Sequence, residues 1–281
     1  MLKDKKKFLV LLPVLPFVMI VLIYLIIPII HLIIKSFLKE DGIGFTFKHY
    51  LTIFSKDYYL QAIFNSLWIS VISAVIGILI ALFAANATNH LTANSKNRFL
   101  AMLNMTSNFS GVPLAFAYII LLGHTGILVI LGKRLGIESL GNFNIYTTMG
   151  LIITYIYFQI PLATLLLIPT FEGLRKEWRE AAMLLKANGF QYWMYVGIPI
   201  VLPSVFSTLS VLFANALAAY ATAYALLASN FSLLPIRISE MFVGDVYQRP
   251  ELGSALSVVM MILMVGAVQL NTYLLKKAKG R

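Results

Sequence analysis

The residues of this chain that could do chemistry are few and widely spaced. Carboxylates fall at Asp4, Glu40, Asp41, Asp57, Glu138, Glu172, Glu177, Glu180, Glu240, Asp245 and Glu251, and histidines at His31, His49, His90 and His124. No His-Glu-x-x-His pair offers a zinc site and no Gly-x-Ser-x-Gly elbow presents a nucleophile. No Gly-x-x-x-x-Gly-Lys-[Ser/Thr] loop is present to cradle a nucleotide phosphate. Cysteine is absent, which removes thiolate catalysis, disulfides and cysteine-based metal binding. The expectation is a chain that is no enzyme, with no catalytic residue, no metal and no cofactor of its own. What remains is a polar, basic segment from Glu177 to Gly189, centred on Glu180, Ala181 and Ala182 and followed by Pro199 and Pro203. Small and charged side chains there suit contact with a partner surface.

The elements around that segment are apolar. The chain is 60% hydrophobic and 12% charged, whereas soluble domains carry about 25% charged residues. Six runs approach or exceed the roughly 20 residues a helix needs to cross a bilayer: Phe8–Ile34, Leu60–Ala84, Phe99–Leu122, Thr148–Pro169, Gly197–Ala228 and Ser254–Leu275. The third is the least apolar, with Asn104, Thr106, Ser107, Asn108 and Ser110 in its first half, so that only its Gly111–Leu122 half is clearly lipid-compatible. The first run is far longer than the roughly 7–15 residues of a signal-peptide core. It reads as a retained anchor kinked at Pro13, Pro16 and Pro28. The sequence therefore predicts an all-α, multi-pass membrane protein with six transmembrane helices. Residues 1–59 form an anchor helix and first external loop, and residues 60–281 a core of five helices.

Lysine and arginine placement sets the orientation, because cytoplasmic loops carry an excess of both. With six spans the termini share a side, and fourteen of the 22 lysines and arginines fall there. They include Lys3, Lys5, Lys6 and Lys7 at one end, Lys276, Lys277, Lys279 and Arg281 at the other, and Arg175, Lys176, Arg179 and Lys186 in the Glu180 loop. Both termini and that loop are expected in the cytoplasm. The net charge of +11 is mainly this topological signal, and it implies no nucleic-acid partner. The apolar runs lack the intramembrane carboxylates that proton-driven carriers use. Sodium coupling, which can rely on carbonyls and hydroxyls, is less firmly excluded. Energy for uphill transport would have to arrive from outside the bilayer.

Within the loop, Leu174, Trp178, Ala181 and Leu185 recur at helical spacing. Asn188-Gly189 reads as a helix stop, with Gly189 taking the left-handed conformation. A second short helix, Phe190–Gly197, would lead into the fifth span. The pair forms either a docking knob for another protein or a headgroup anchor. Polar residues inside the spans are candidates for a solute path: Asn65 and Ser66 in the second, Gln159 in the fourth, and Asn215, Tyr220 and Thr222 in the fifth. Each either lines a path or hydrogen-bonds between helices, a contact worth about 1 kcal/mol in membranes.

The stretch Glu180-Ala181-Ala182 with Leu202 and Pro203 behind it, lodged between spans four and five, resembles the "EAA" loop of permease subunits of binding-protein-dependent ABC importers. Pro199 matches a frequent extra proline. Lys186 departs from the family, standing where its glycine usually lies, with Gly189 three residues later. Phe45-Thr46-Phe47-Lys48-His49-Tyr50 and Asn65-Ser66-Leu67 resemble further elements of the spermidine/putrescine-type branch. The resemblance implies the type I importer permease fold, with residues 171–198 as the ATPase-coupling loop and Trp178, Glu180, Ala181, Ala182, Leu185, Gly189, Pro199 and Pro203 its site residues. It implies ABC ATPase subunits that use ATP-Mg, a second permease subunit (identical or different) and an extracytoplasmic solute-binding protein, all in a prokaryotic cell membrane. Cargo in the branch includes polyamines, phosphonates, thiamine and ferric iron. The competing reading is an autonomous carrier or channel.

Overall fold

The computed structural model describes residues 15–40, 42–228, 231–243 and 248–279. The lysines at 3, 5, 6 and 7, the start of the first run at Phe8, the expected kink at Pro13, and Asp4, Asp41, Asp245 and Arg281 lie outside these residues. Among the described residues regular structure is helical throughout, apart from one isolated antiparallel bridge between Leu38 and Phe45.

Six segments are long and apolar enough to cross a membrane: Leu15–Lys35, Asp57–Thr88, Val112–Leu135, Thr148–Glu172, Gly189–Leu217 and Pro250–Tyr273. In chain order the helices are α1 (Leu15–Lys35), α2 (Lys48–Ser55), α3 (Asp57–Thr88), α4 (Ala93–Asn108), α5 (Val112–Leu122), α6 (Ile127–Leu135), α7 (Glu138–Gly141), α8 (Thr148–Glu172), α9 (Lys176–Leu184), α10 (Gly189–Leu217), α11 (Tyr220–Leu227), α12 (Leu234–Val243) and α13 (Pro250–Lys279). Their contacts form two compact units, Met1–Leu60 with Arg237–Met261 and Gln61–Ile236 with Ile262–Arg281.

Prolines shape two of the spans in the same way. A proline lacks the N–H that would close the helical bond four residues back. In α1 the turn Leu22–Ile26 widens to π geometry, and Ile27 N–H, just before Pro28, reaches Leu22 O. In α10 the turn Trp193–Gly197 widens likewise, and Ile198 N–H, just before Pro199, reaches Trp193 O. Each wide turn absorbs the bond its proline cannot make, so both helices continue past it.

The third span departs from expectation. The run Phe99–Leu122 is interrupted: its polar first half belongs to α4, and the apolar crossing segment begins at Val112. Asn104 and Thr106 bond back to carbonyls of their own helix, Leu100 O and Met102 O. The interruption sits at Gly111, whose φ of 74° and ψ of −145° only glycine adopts readily. Beyond it, a turn at Gly123–Gly126 separates α5 from α6; a Cβ on Gly126 would lie 2.6 Å from Leu121 O.

The second unit has two buried apolar clusters. One gathers Ile69, Leu114, Leu151, Tyr155, Phe158 and Ala223, and the other Ala81, Ala85, Leu103, Ala163, Leu167 and Leu212. Leu103 brings α4 into the second. The buried share of a crossing segment ranges from 0% in α1 to 61% in α8, so α8 is the central helix of its unit. Where α3 crosses α8, Gly77 allows the approach: a Cβ there would stand 2.8 Å from Gln159 Cβ.

Candidate functional site

The segment after α8 forms a knob pinned at its root and bare at its tip. Asn89 Nδ2 donates to Phe171 O at 3.0 Å, and Lys96 pairs with Glu172, tying the chain after α3 and the start of α4 to the end of α8. On the other side Trp193 packs on Phe171, ring centroids 6.4 Å apart, with its indole filling the place a Cβ on Gly197 would take. Between these roots α9 projects with no buried residue. Leu184 and Leu185 are 85% and 84% exposed, and Met183, Phe190 and Trp178 are exposed beside them. Arg175 lies 5.8 Å from the Trp178 ring centre. Glu180 is exposed and lines an open hollow of about 1010 Å³, with Asn86, His90, Glu177 and Tyr192 among its walls.

Two expectations about this loop change. Leu174 lies before α9 starts and Leu185 caps its end exposed, so the four spaced apolar residues do not make one inward face. The helix stop is Lys186, not Gly189. Lys186 has φ 60°, its N–H bonds Met183 O at 2.9 Å, and Ala187 N–H reaches back to Ala182 O at 3.0 Å. That is the six-to-one closure of a Schellman motif, with lysine in the left-handed position that favours glycine. Asn188 and Gly189 open the next helix instead. Asn188 Oδ1 accepts from Gln191 N–H at 2.8 Å, and Gln191 Oε1 accepts from Asn188 N–H at 2.8 Å, a reciprocal capping box.

The polar residues within the spans separate into enclosed and open groups. Asn65 Nδ2 donates to Ser232 O at 3.0 Å, and buried Ser66 Oγ accepts from Leu234 N–H at 2.8 Å. Gln159 is fully buried and donates to Leu212 O at 2.8 Å. Thr222 is buried, its Oγ1 accepting from Gly111 N–H at 2.9 Å and donating to Gly111 O at 3.3 Å. Asn215 is exposed, and half-buried Tyr220 stacks on exposed Tyr224 at 5.2 Å. Ser207, Val211, Asn215, Ala218, Ala221 and Tyr224 form one exposed stripe along α10 and α11. Small and polar side chains on an exposed membrane face suit a partner helix or an aqueous path better than lipid.

Three features escaped sequence reasoning. Tyr155, in an apolar run, donates its hydroxyl to Ala219 O at 2.6 Å, satisfying a carbonyl freed where α10 gives way to α11. Gly111, signalled only by a Ser-Gly dipeptide before Pro113, breaks the third run. Before the last span, α12 carries buried Arg237, whose guanidinium bonds Glu240 at 2.8 Å and lies 4.1 Å from the Tyr58 ring centre. The Arg-x-x-Glu spacing and Pro235 at the helix start were the available signals.

A broken-helix span and a knob with an exposed tip thus sit on a set of helices of membrane-crossing length. Residues 77–280 match the family described as binding-protein-dependent transport system inner membrane component, and the chain belongs to that family. It is a multi-pass protein of the bacterial inner membrane, a permease component that is not itself catalytic. The chain is 25% identical over 257 residues to the spermidine/putrescine transport system permease PotC of Escherichia coli, covering 90% of each. It is 25% identical over 175 residues to the thiamine transport system permease ThiP of Salmonella typhimurium, covering 62% of this chain and 32% of that one. It thus spans about a third of the length of that permease. Among solved structures it resembles a bacterial ABC transporter involved in alginate import, with a TM-score of 0.76, 18% identity and 98% of each chain covered. This likeness shows the type I importer permease fold.

Proposed function

We propose that this chain is one permease half of an ATP-driven importer, receiving motion from separate ATPase subunits through α9 and passing a small polar solute along the exposed face of α10 and α11. The observation that carries the reading is the knob: its root ties the chain after α3 and the start of α4 to α8, while its apolar tip has no cover among the described residues. Glu180, Ala181 and Ala182 form the contact surface, and Lys186 fixes the turn behind them. Trp178 and Leu185 present apolar area to the partner. Gly189 starts α10, which turns the knob back into the membrane, and Pro199 and Pro203 follow its wide turn Trp193–Gly197. A rigid root converts displacement of α9 into movement of α8 and α10.

Asn215, a member of the uncharged exposed stripe, and Tyr220, stacked on that stripe's Tyr224, are the path-lining residues. Asn65, Ser66, Gln159 and Thr222 hold that face in place through the bonds described above. A stripe offering amide, hydroxyl and aromatic groups fits an organic cation, polyamine or thiamine, above phosphonate or ferric iron; the names of the PotC and ThiP relatives support the same choice. A second permease, identical or different, completes the path. An extracytoplasmic binding protein delivers the solute, and ATP-Mg is consumed only by the ATPases.

The test is solute-stimulated ATP hydrolysis in the reconstituted complex. Glu180→Arg and Ala182→Trp are each expected to abolish stimulation while the chain remains folded in the membrane. Normal stimulation in both variants contradicts the coupling role. Solute flux by the chain alone favours an autonomous carrier.

A further inference from the structure

The first outer loop carries an apolar rim that the importer reading does not use. Residues of the loop and of α2 bond to each other and to the end of α1. Ser36 Oγ donates to Ile33 O at 2.6 Å and meets Tyr50 Oη at 2.8 Å. His49 Nε2 lies 2.8 Å from Leu38 O, and Thr46 N–H bonds Phe37 O at 2.7 Å. Phe37 packs on both Phe47 and Tyr50, with centroids 5.5 and 5.2 Å away. His49 and Ile53 form the buried side of α2.

The other side of α2 is apolar and exposed. Phe47, Leu51 and Phe54 recur at i, i+4 and i+7, and Ile43 and Phe45 in the preceding turn extend the same rim. These five residues are between 58% and 78% exposed. Lys39, Lys48 and Lys56 are exposed around them. Depth follows from the bonds: Tyr50 touches Ser36, the residue after the last turn of α1. That places α2 in the headgroup zone, roughly 5–8 Å thick on each side of the hydrocarbon. Aromatic and aliphatic side chains flanked by lysines are the composition of helices lying in that zone. The rim is also continuous in sequence with α1, a span with no buried side.

We propose that the loop Lys39–Lys56 is an outer-leaflet phospholipid anchor. Phe45, Phe47, Leu51 and Phe54 enter the acyl boundary and Lys39, Lys48 and Lys56 pair with lipid phosphates. The anchor fixes the depth of α1 and the start of α3 against vertical movement.

The chain has no cysteine, so one introduced thiol takes a nitroxide label cleanly. The full chain, purified with the subunits that accompany it, is labelled in turn at Phe47→Cys, Leu51→Cys, Phe54→Cys and, for reference, Glu40→Cys. It is reconstituted in vesicles of phosphatidylethanolamine and phosphatidylglycerol. The expected result is an oxygen-to-nickel-chelate collision ratio severalfold higher at 47, 51 and 54 than at 40, unchanged by adding the solute-binding protein. A ratio equal to that at 40 shows a rim in water and overturns the proposal. Labels closed to both reagents show a rim covered by protein, a second permease or the binding protein, and overturn it equally. Three positions keep the test open if one variant fails to assemble.

Discussion

Lys186 holds a backbone conformation that costs a side-chain-bearing residue about 1–2 kcal/mol, at the place where the family has glycine. Its φ of 60° and the Ala187-to-Ala182 bond show that the turn remains at that position. Lys186→Gly is expected to stabilise the turn by about 1 kcal/mol, slowing exchange of the Ala187 amide about fivefold. Unchanged or faster exchange would show that lysine is not strained there. Gly77 and Gly266 make an opposed pair. Gly77→Ala drives a methyl against Gln159 Cβ and should lower stability by about 1–3 kcal/mol. Gly266→Ala meets nothing within 4 Å and should be neutral or gain up to about 1 kcal/mol. Thermal unfolding in detergent compares the two.

At the scale of elements, this chain handles interrupted helices in two ways. The π-turns before Pro28 and Pro199 keep a helix continuous through a missing donor. The breaks at Gly111 and at Ala218–Ala219 end helices outright, and side chains from other helices satisfy the freed groups. Thr222 on α11 serves Gly111 before α5, and Tyr155 on α8 serves Ala219. Thr222→Val removes the partner of the Gly111 N–H, at a cost of about 1–3 kcal/mol. Exchange of the Gly111 amide should rise severalfold while amides in the middle of α8 stay protected. A uniform rise across α8 would mean that the unit loosens as a whole.

For the whole molecule, the enclosed and open polar groups should respond differently to substitution. Asn215→Leu is expected to leave the unfolding midpoint within the equivalent of about 0.5 kcal/mol while lowering solute flux in the assembled importer. Gln159→Leu removes the donor to Leu212 O, and its effect should appear in stability at about 1 kcal/mol. Undiminished flux in Asn215→Leu would take Asn215 off the path. Six apolar runs, their orientation and the want of catalytic groups were legible in residue order, because membrane insertion and lysine placement depend on local composition. The Glu180 loop was legible for the same reason, as a polar island between apolar runs. Its turn was misread at Gly189 because Asn-Gly is the stronger local stop signal, although Lys186 stands at the family's glycine position. Which polar residues are enclosed, where the third run breaks and what sides Arg237 with Tyr58 depended on partners as many as 179 residues away, Tyr58 to Arg237. Such contacts exist only once the helices have packed, since a hydrogen bond inside a membrane is specified by the group it meets and not by its neighbours in the chain.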